Sequence, residues 1–221
     1  ELVSKSYKDE PASKWTCGGD TEFEIGDAER EERGTDVILY VDQENQDILE
    51  ENKFKTILQK YCGFLSVPIF LNDTQINQTE PIWLKKAIDL KKEDYLEFYK
   101  NLHPGNEDPV FWLHINLEYP FNLKGVLYFP KLLHHLDASQ GQIRLYSNQV
   151  FVSDNCKQFM PDFLNMLQGV IDSPDIPLNV SRSYLQNDRQ VRQIATHIIK
   201  KVAYRLNEEQ KENKEGFEKY W

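Results

Sequence analysis

The hydrophobic pattern changes its period along the chain, and this change constrains the fold more than any other feature of the sequence. Apolar and polar residues alternate over 22–25 and 36–41, as in half-buried strands. Near the other end, apolar residues recur at three- and four-residue steps and predict an amphipathic helix with one stripe: Val191, Ile194, Ala195, Ile198, Val202 and Leu206. Both periods in one chain predict an α/β or α+β fold, with helices packed on a sheet.

The same patterns predict further elements between these two regions. Strands are predicted over 65–71, 110–117 and 121–129, and a hairpin over 142–152. Helices are predicted over 45–61, with Asp47 as its cap, and over 92–102 and 157–170. The chain is therefore expected to mix strands and helices throughout.

The composition argues against several classes of partner. With 12% aromatic residues the chain can form a packed core, and its net charge of −10 argues against general affinity for nucleic acid or anionic lipid. A local basic patch stays open as an alternative, formed by Arg192, Lys200, Lys201 and Arg205. No apolar run reaches membrane-spanning length. We therefore predict partners other than nucleic acid and membranes.

The spacing of cysteines and histidines indicates neither a disulfide framework nor a metal site. The three cysteines are far apart and form no CxxC pair, so reduced thiols and a cytoplasmic location are expected. The five histidines lack HExxH or Cys/His spacing, and the adjacent His134 and His135 are a poor metal pair. The chain does not begin with Met, and we expect it to be a fragment.

The most specific information lies in one uninterrupted block, residues 169–186. It reads Gly-Val-Ile-Asp-Ser-Pro-Asp-Ile-Pro-Leu-Asn-Val-Ser-Arg-Ser-Tyr-Leu-Gln and closely resembles the signature loop of the 90-kDa heat-shock chaperones. In the most constrained half only Ser183 departs, where the family usually has glutamate. Other landmarks follow the family's order over nearly the whole chain: Trp15 with 22–25, then 33–39, 60–64, 81–83, 93–99 and 144–152.

This resemblance, to the bacterial HtpG type of the family, implies a domain organisation. Residues 1–42 would form the C-terminal tail of the N-terminal ATP-binding domain, contributing a β-hairpin. Residues 43–187 would form the α/β part of the middle domain, a layered fold with a mixed β-sheet flanked by helices. Residues 188–221 would continue that domain as a helical segment.

The resemblance also implies a split ATPase. ATP with Mg²⁺ would be bound mainly by the N-terminal domain, and the loop 175–187 would supply an arginine to the γ-phosphate. Arg182 holds that position by motif, and a planar, permanently charged guanidinium suits bidentate binding of phosphate. From the residues alone, Arg182 could instead be a surface arginine in a salt bridge at a helix start. This chain alone is not expected to hydrolyse ATP.

Several residues are implied to support this arginine. Gln186 would be its polar partner on the same helical face, and Asn179 would cap the loop. Ile176 and Val180 would be apolar props that hold the loop against the neighbouring domain. Thr35 corresponds to a threonine that lines the nucleotide pocket. Each of these could also have a purely structural role.

Trp83 matches a tryptophan that the family links to client contact. Its polar neighbours, among them Glu80, Lys85 and Lys86, predict a partly exposed position on the loop before the helix 92–102. The commoner position for a tryptophan is the core, and that alternative remains open. Two loops depart from the family pattern: the one between Leu71 and Gln75 is short, and the one after Pro130 reads Leu-Leu-His-His-Leu at 132–136.

Two functions of different classes follow. The leading one is a segment of an ATP-driven homodimeric chaperone, which binds unfolded or partly folded clients and whose middle domain docks on its own N-terminal ATPase domain. The alternative is a module that binds clients or co-chaperones and has no role in hydrolysis. A DNA-repair or topoisomerase relative shares the ATPase class but uses a lysine from its second domain, so the Asn-Val-Ser-Arg sequence at 179–182 argues against it.

Overall fold

The computed structural model describes residues 1–131, 143–154, 164–176, 189–212 and 214, and the chain divides into two compact units, 1–54 and 55–221. The first unit is built on an antiparallel sheet of β1 (Leu2–Lys5), β2 (Ala12–Cys17), β3 (Phe23–Ala28) and β4 (Gly34–Val37), in the order β3-β2-β1-β4. The strand predicted over 22–25 is confirmed within β3, whereas the one predicted over 36–41 ends at Val37. The predicted domain boundaries after residues 42 and 187 stay predictions.

The helix predicted over 45–61 is divided in two. A 3₁₀ helix, Gln43–Leu49, is followed by α1 (Glu51–Cys62), and Glu50 between them has extended backbone angles. The cap predicted at Asp47 is wrong, because Asp42 Oδ1 accepts the Asn45 N–H at 2.9 Å and begins the first helix. An aspartate that precedes the first helical residue satisfies a free N–H there, which Asp47, inside the helix, cannot do.

The sheet of the first unit has almost no core of its own. Within 1–54, all of which is described, Ala12 is the only buried apolar side chain. Phe23 and Ile25 on β3 are 60% and 69% exposed, and Leu39 and Tyr40 after β4 are about 80% exposed. A sheet with its apolar side chains in water lacks the second layer that a stable domain requires.

The second unit is organised around a five-stranded mixed sheet. After α1 come a short hairpin, β5 (Phe70–Leu71) and β6 (Thr74–Gln75), and then α2 (Lys92–Leu102). The sheet contains β7 (Phe111–Leu117), β8 (Leu123–Phe129), β9 (Ile143–Ser147), β10 (Val150–Ser153) and β11 (Gln168–Asp172), in the order β10-β9-β11-β8-β7. β11 runs antiparallel to β8 and parallel to β9, and therefore joins two hairpins into one sheet.

The two faces of this sheet belong to separate apolar clusters, because side chains alternate along each strand. On β8, Leu123 and Leu127 join the cluster that contains α3 (Arg189–Glu212), and Val126 and Tyr128 join the cluster that contains α2. The helix residues in these clusters are Ile194, Ile198 and Val202 on α3, and Tyr95, Phe98, Tyr99 and Leu102 on α2. The mixed sheet flanked by helices, ending in a helical segment, confirms an α+β fold.

Agreement with the predicted elements is uneven. The helix predicted over 92–102 coincides with α2, and the hairpin predicted over 142–152 is β9–β10. The predicted helix 157–170 is wrong at its end, where Gln168–Asp172 is a strand, and 157–163 lies outside the described residues. The strand predicted over 65–71 is confined to Phe70–Leu71. No helix in the described part of the chain is long and apolar enough to cross a bilayer.

His103, at the end of α2, is a partly buried histidine with an unpartnered ring nitrogen. Its Nε2 is shielded from solvent and has no hydrogen-bond partner among the described residues, and its ring lies 5.3 Å from that of Tyr99. Burial, aided by the positive charge of Arg144, lowers the pKa of His103 to about 4. The ring is therefore neutral in the folded chain at neutral pH.

This depressed pKa predicts a loss of stability on acidification. Between pH 6.5 and about 4 the unfolded chain protonates His103 and the folded chain does not, so the free energy of unfolding falls as the pH falls through this window. We expect His103 to contribute about 2 kcal/mol of this loss, less than the full shift implies because the ring is not wholly buried. Urea unfolding of parent and His103→Phe chains at several pH values measures it. An identical pH dependence in both chains would contradict the assignment.

Candidate functional site at the end of the central strand

The central strand β11 leads directly into the segment that contains the predicted arginine. All five of its residues are buried, and Gly169 at φ 130° lies so close to β8 that a Cβ there would be 2.1 Å from the Val126 carbonyl oxygen. At the start of the strand Gln168 accepts a hydrogen bond from the Tyr99 hydroxyl at 2.6 Å. The strand is thus fixed along its length before the chain leaves the sheet.

Asp172, the last residue of β11, is a buried carboxylate held by two donors. Its Oδ2 accepts the Trp83 indole N–H at 3.1 Å and the Gln149 backbone N–H at 3.0 Å. Burial raises the pKa of Asp172 above its usual value, and the two hydrogen bonds oppose that rise. Its Oδ1 has no partner among the described residues. A buried carboxylate needs such donors, since losing one leaves a costly unpaired acceptor.

Trp83 is a core residue, and its predicted partial exposure is wrong. It lies in a 3₁₀ turn, Ile82–Leu84, with 0% of its surface exposed, and its ring packs edge-on against Phe64 at 4.7 Å and Phe98 at 5.7 Å. Its indole N–H finds a partner in Asp172, 89 residues later in the chain. The predicted client contact stays a prediction, but the ring offers no exposed surface in this conformation.

Gln149 ties the turn between β9 and β10 to two other segments. Asn148 and Gln149 have φ values of 51° and 64°, which make the tight two-residue turn of a hairpin possible. The Gln149 side-chain Nε2 donates to the carbonyl oxygens of Phe64 and Thr79, both at 2.8 Å. Together with its backbone bond to Asp172, this glutamine connects the segments around Phe64, Thr79 and the end of β11.

Ser173 and Asp175, the two polar residues after β11, form hydrogen bonds to the turn between β7 and β8. The Ser173 N–H donates to the Tyr146 carbonyl oxygen at 3.1 Å, and the Ser173 hydroxyl donates to the Asn122 carbonyl oxygen. Asp175 Oδ2 accepts the Asn122 N–H at 2.6 Å. Both polar groups of the Asn122 backbone are thereby used. We call Ser173, Asp175 and the Asn122 backbone the Asn122 clip.

The predicted site residues are distributed as follows. Ile176 is 4% exposed and packs in the α3-side cluster, so it supports the chain from within its own unit and leaves little surface for a neighbouring domain. Thr35, in the first unit, is exposed, and its hydroxyl is 2.8 Å from that of Ser4. Four predicted residues lie outside the described residues: Asn179, Val180, Arg182 and Gln186.

The Asn122 clip and the Asp172 contacts are the part of the site that sequence reasoning missed. Asp172, Ser173 and Asp175 stand inside the signature block, where three polar residues follow the apolar run 170–171. Polar residues that end a buried strand need partners, and this pattern could have identified them as anchors. Their partners at Trp83, Gln149 and Asn122 are too distant in sequence to be recognised.

Comparison with known proteins shows the family to which the chain belongs. The family model described as Hsp90 protein matches residues 69–221, so the chain belongs to the Hsp90 family and the predicted resemblance is confirmed. Over all of its length it is 48% identical to the chaperone protein HtpG of Porphyromonas gingivalis and 46% identical to that of Bacteroides fragilis. The chaperone protein HtpG of Fusobacterium nucleatum is 32% identical over the same span. The chain spans 35% to 37% of the length of these relatives.

Proposed function

We propose that this chain is a segment of an ATP-driven, homodimeric chaperone that assists the folding of unfolded or partly folded clients in the cytoplasm. Residues 1–42 end its ATP-binding domain, 43–187 form the α/β part of its middle domain, and 188–221 continue that domain. Arg182, with Gln186 beside it, completes the nucleotide site of the N-terminal domain. The printed name of the relatives, chaperone protein HtpG, supports the chaperone role.

The observation that carries the proposal is the anchoring of the first half of the signature block, residues 172–176. Asp172, Ser173 and Asp175 each have hydrogen bonds to other segments of the sheet domain, and Ile176 is buried. An arginine that stabilises a transition state must be held in place, since a small misplacement is costly in rate. A purely structural surface loop has no comparable need for three anchors within four residues.

The exposed sheet of the first unit supports the division into domains. Phe23, Ile25, Leu39 and Tyr40 are exposed on a unit whose only buried apolar side chain is Ala12. Exposed apolar residues on a sheet and beside it are covered by a further layer in a complete domain. We propose that the remainder of the ATP-binding domain supplies that layer.

Thr35 is the residue of this chain that the resemblance places at the nucleotide pocket, and its hydroxyl lies 2.8 Å from that of Ser4. We propose that ATP and Mg²⁺ bind mainly in the N-terminal ATP-binding domain, as the resemblance implies. The contribution of this chain is the arginine that reaches the γ-phosphate.

This division predicts that the isolated chain binds ATP negligibly. Calorimetric titration of residues 1–221 with ATP and Mg²⁺ should give no binding heat, because one threonine cannot replace a whole pocket. The full-length protein under the same conditions is the positive control. Micromolar affinity of the isolated chain would show that the pocket lies within it and would contradict the proposal.

A module that binds clients or co-chaperones without any role in hydrolysis is the second candidate. It is favoured by a half-open groove of about 550 Å³ beside α1 and α2, lined by apolar and charged side chains that include Phe98, Phe151, Lys60 and Arg144. Exposed apolar residues elsewhere in the same unit also favour this second candidate, among them Ile88 at 89% and Tyr119 at 85% exposure. The two candidates differ in one property, since only the first requires Arg182 for ATP turnover.

A further inference from the structure

Ser173 and Asp175, which follow β11, both form hydrogen bonds to the backbone of Asn122 in the turn between β7 and β8. Asp175 accepts the Asn122 N–H at 2.6 Å, and the Ser173 hydroxyl donates to the Asn122 carbonyl oxygen. Asn122 precedes β8, which is itself the antiparallel partner of β11. The Asn122 clip therefore holds the chain that leaves β11 against the start of β8, the neighbouring strand.

Ser173 and Asp175 form more hydrogen bonds than the end of the strand needs for its own pairing. Ser173 is completely buried, and its N–H extends the parallel ladder to β9 through the Tyr146 carbonyl oxygen. Asp175 is only half-buried, yet its carboxylate is used to hold a backbone N–H. A charge-assisted bond of this kind is about twice as strong as a neutral one. Asp175 is thus the last residue of the Asn122 clip, and the loop towards Arg182 continues from it.

We propose that Ser173 and Asp175 are positioning residues for Arg182. They hold the start of the signature loop on the Asn122 backbone, so that the arginine seven residues after Asp175 reaches the γ-phosphate from a fixed origin. This inference rests on the proposed role of Arg182. In this proposal Ser173 and Asp175 act on turnover through Arg182 and not by contact with the nucleotide.

A double-mutant cycle in the full-length protein tests this dependence. We expect Asp175→Ala to lower ATP turnover about tenfold, because loss of positioning in a transition-state contact is costly in rate. The ATP dissociation constant should stay within about twofold of the parent value, since ground-state binding belongs to the other domain. In an Arg182→Ala background, Asp175→Ala should change turnover by less than about twofold, as residues that act as one unit are not additive.

Asp94→Ala is the matched control. The Asp94 carboxylate also accepts a backbone N–H, that of Lys91 at 2.7 Å, at the start of α2. The two substitutions remove the same kind of bond and should lower the melting temperature by similar amounts, about 4 °C each. Only Asp175→Ala should lower turnover. Asp175→Asn keeps an acceptor oxygen for the Asn122 N–H but loses the charge, so its rate should lie between those of Asp175→Ala and the parent.

The outcomes separate this inference from the proposed function. An unchanged rate in Arg182→Ala would overturn the proposed function itself. If Arg182→Ala is impaired but Asp175→Ala turns over normally, or if the two losses multiply in the double variant, only the positioning role is overturned. Should Asp175→Ala fail to fold, Ser173→Ala removes the other half of the clip, and the same cycle with Arg182→Ala is decisive.

Discussion

Arg182→Ala in the full-length protein is expected to lower ATP turnover by about 10- to 10³-fold while ATP binding stays nearly unchanged. In the proposed division of the protein, the ground-state pocket belongs to the N-terminal domain, and ATP would bind there before the middle domain docks. The guanidinium would then act mainly where negative charge develops between the phosphate oxygens. The expected range lies below the largest effects of such arginines, because domain closure can limit a slow cycle more than chemistry does.

The measurement is steady-state ATP hydrolysis together with calorimetric ATP titration of the same protein. Arg182→Lys is the informative control, since a point charge cannot reproduce the planar fork and should restore little activity. Parental turnover in Arg182→Ala would mean that the signature loop is structural. The module that binds clients or co-chaperones would then become the leading function.

Trp83→Ala is expected to lower the free energy of unfolding by about 3–5 kcal/mol, the largest effect on stability that we predict for a single substitution. The indole is fully buried against Phe64 and Phe98, so its removal leaves a large cavity. It also removes a donor to the buried carboxylate of Asp172. Trp83→Phe isolates this second loss and should cost about 1–3 kcal/mol.

Urea unfolding with a fluorescence readout measures these values. Trp112→Phe is the matched control, because Trp112 is only partly buried and stacks on Tyr95 at 4.9 Å, so it should be affected less. A variant that keeps Trp83 as its only tryptophan should emit at short wavelength and resist quenching by acrylamide. Long-wavelength emission that acrylamide quenches readily would restore the exposed position that the sequence predicted.

The error at Trp83 shows the limit of local sequence reasoning. Its polar neighbours predict a loop, and the segment is indeed a short 3₁₀ turn. Within this turn Ile82 and Trp83 are both buried, whereas Leu84, Lys85 and Lys86 after them are exposed. What decides the burial of Trp83 is a partner at Asp172, 89 residues away, and no local pattern contains that contact.

The success with helices and the failure at β11 have the same physical origin. α2 and α3 are each buried along one side, which leaves the amphipathic period visible in the sequence. β11 is buried on both faces, so apolar and polar residues do not alternate along Gln168–Asp172. A short run of this type cannot be distinguished from the end of a helix by its period, so the helix predicted over 157–170 extends into it.

The residues of the candidate site can be identified from the sequence, whereas their hydrogen-bond partners cannot. The signature block identifies Arg182 by resemblance, and its polar residues at 172, 173 and 175 are visible in the sequence. Their acceptors and donors come from the backbone of Asn122, the turn at Gln149 and the indole of Trp83. Only the strand order brings these segments together, because β11 lies between two hairpins that precede it in the chain.

That strand order also determines when the sheet can be completed during synthesis. Among the described strands of this sheet, β11 is the last to be synthesised, yet it occupies the middle of the sheet. Until residues 168–172 emerge, the β7–β8 and β9–β10 hairpins each expose an unpaired edge and apolar faces, a combination that favours aggregation. A pause in synthesis before residues 168–172 have emerged would therefore leave a chain that is prone to aggregation, until β11 pairs with both hairpins.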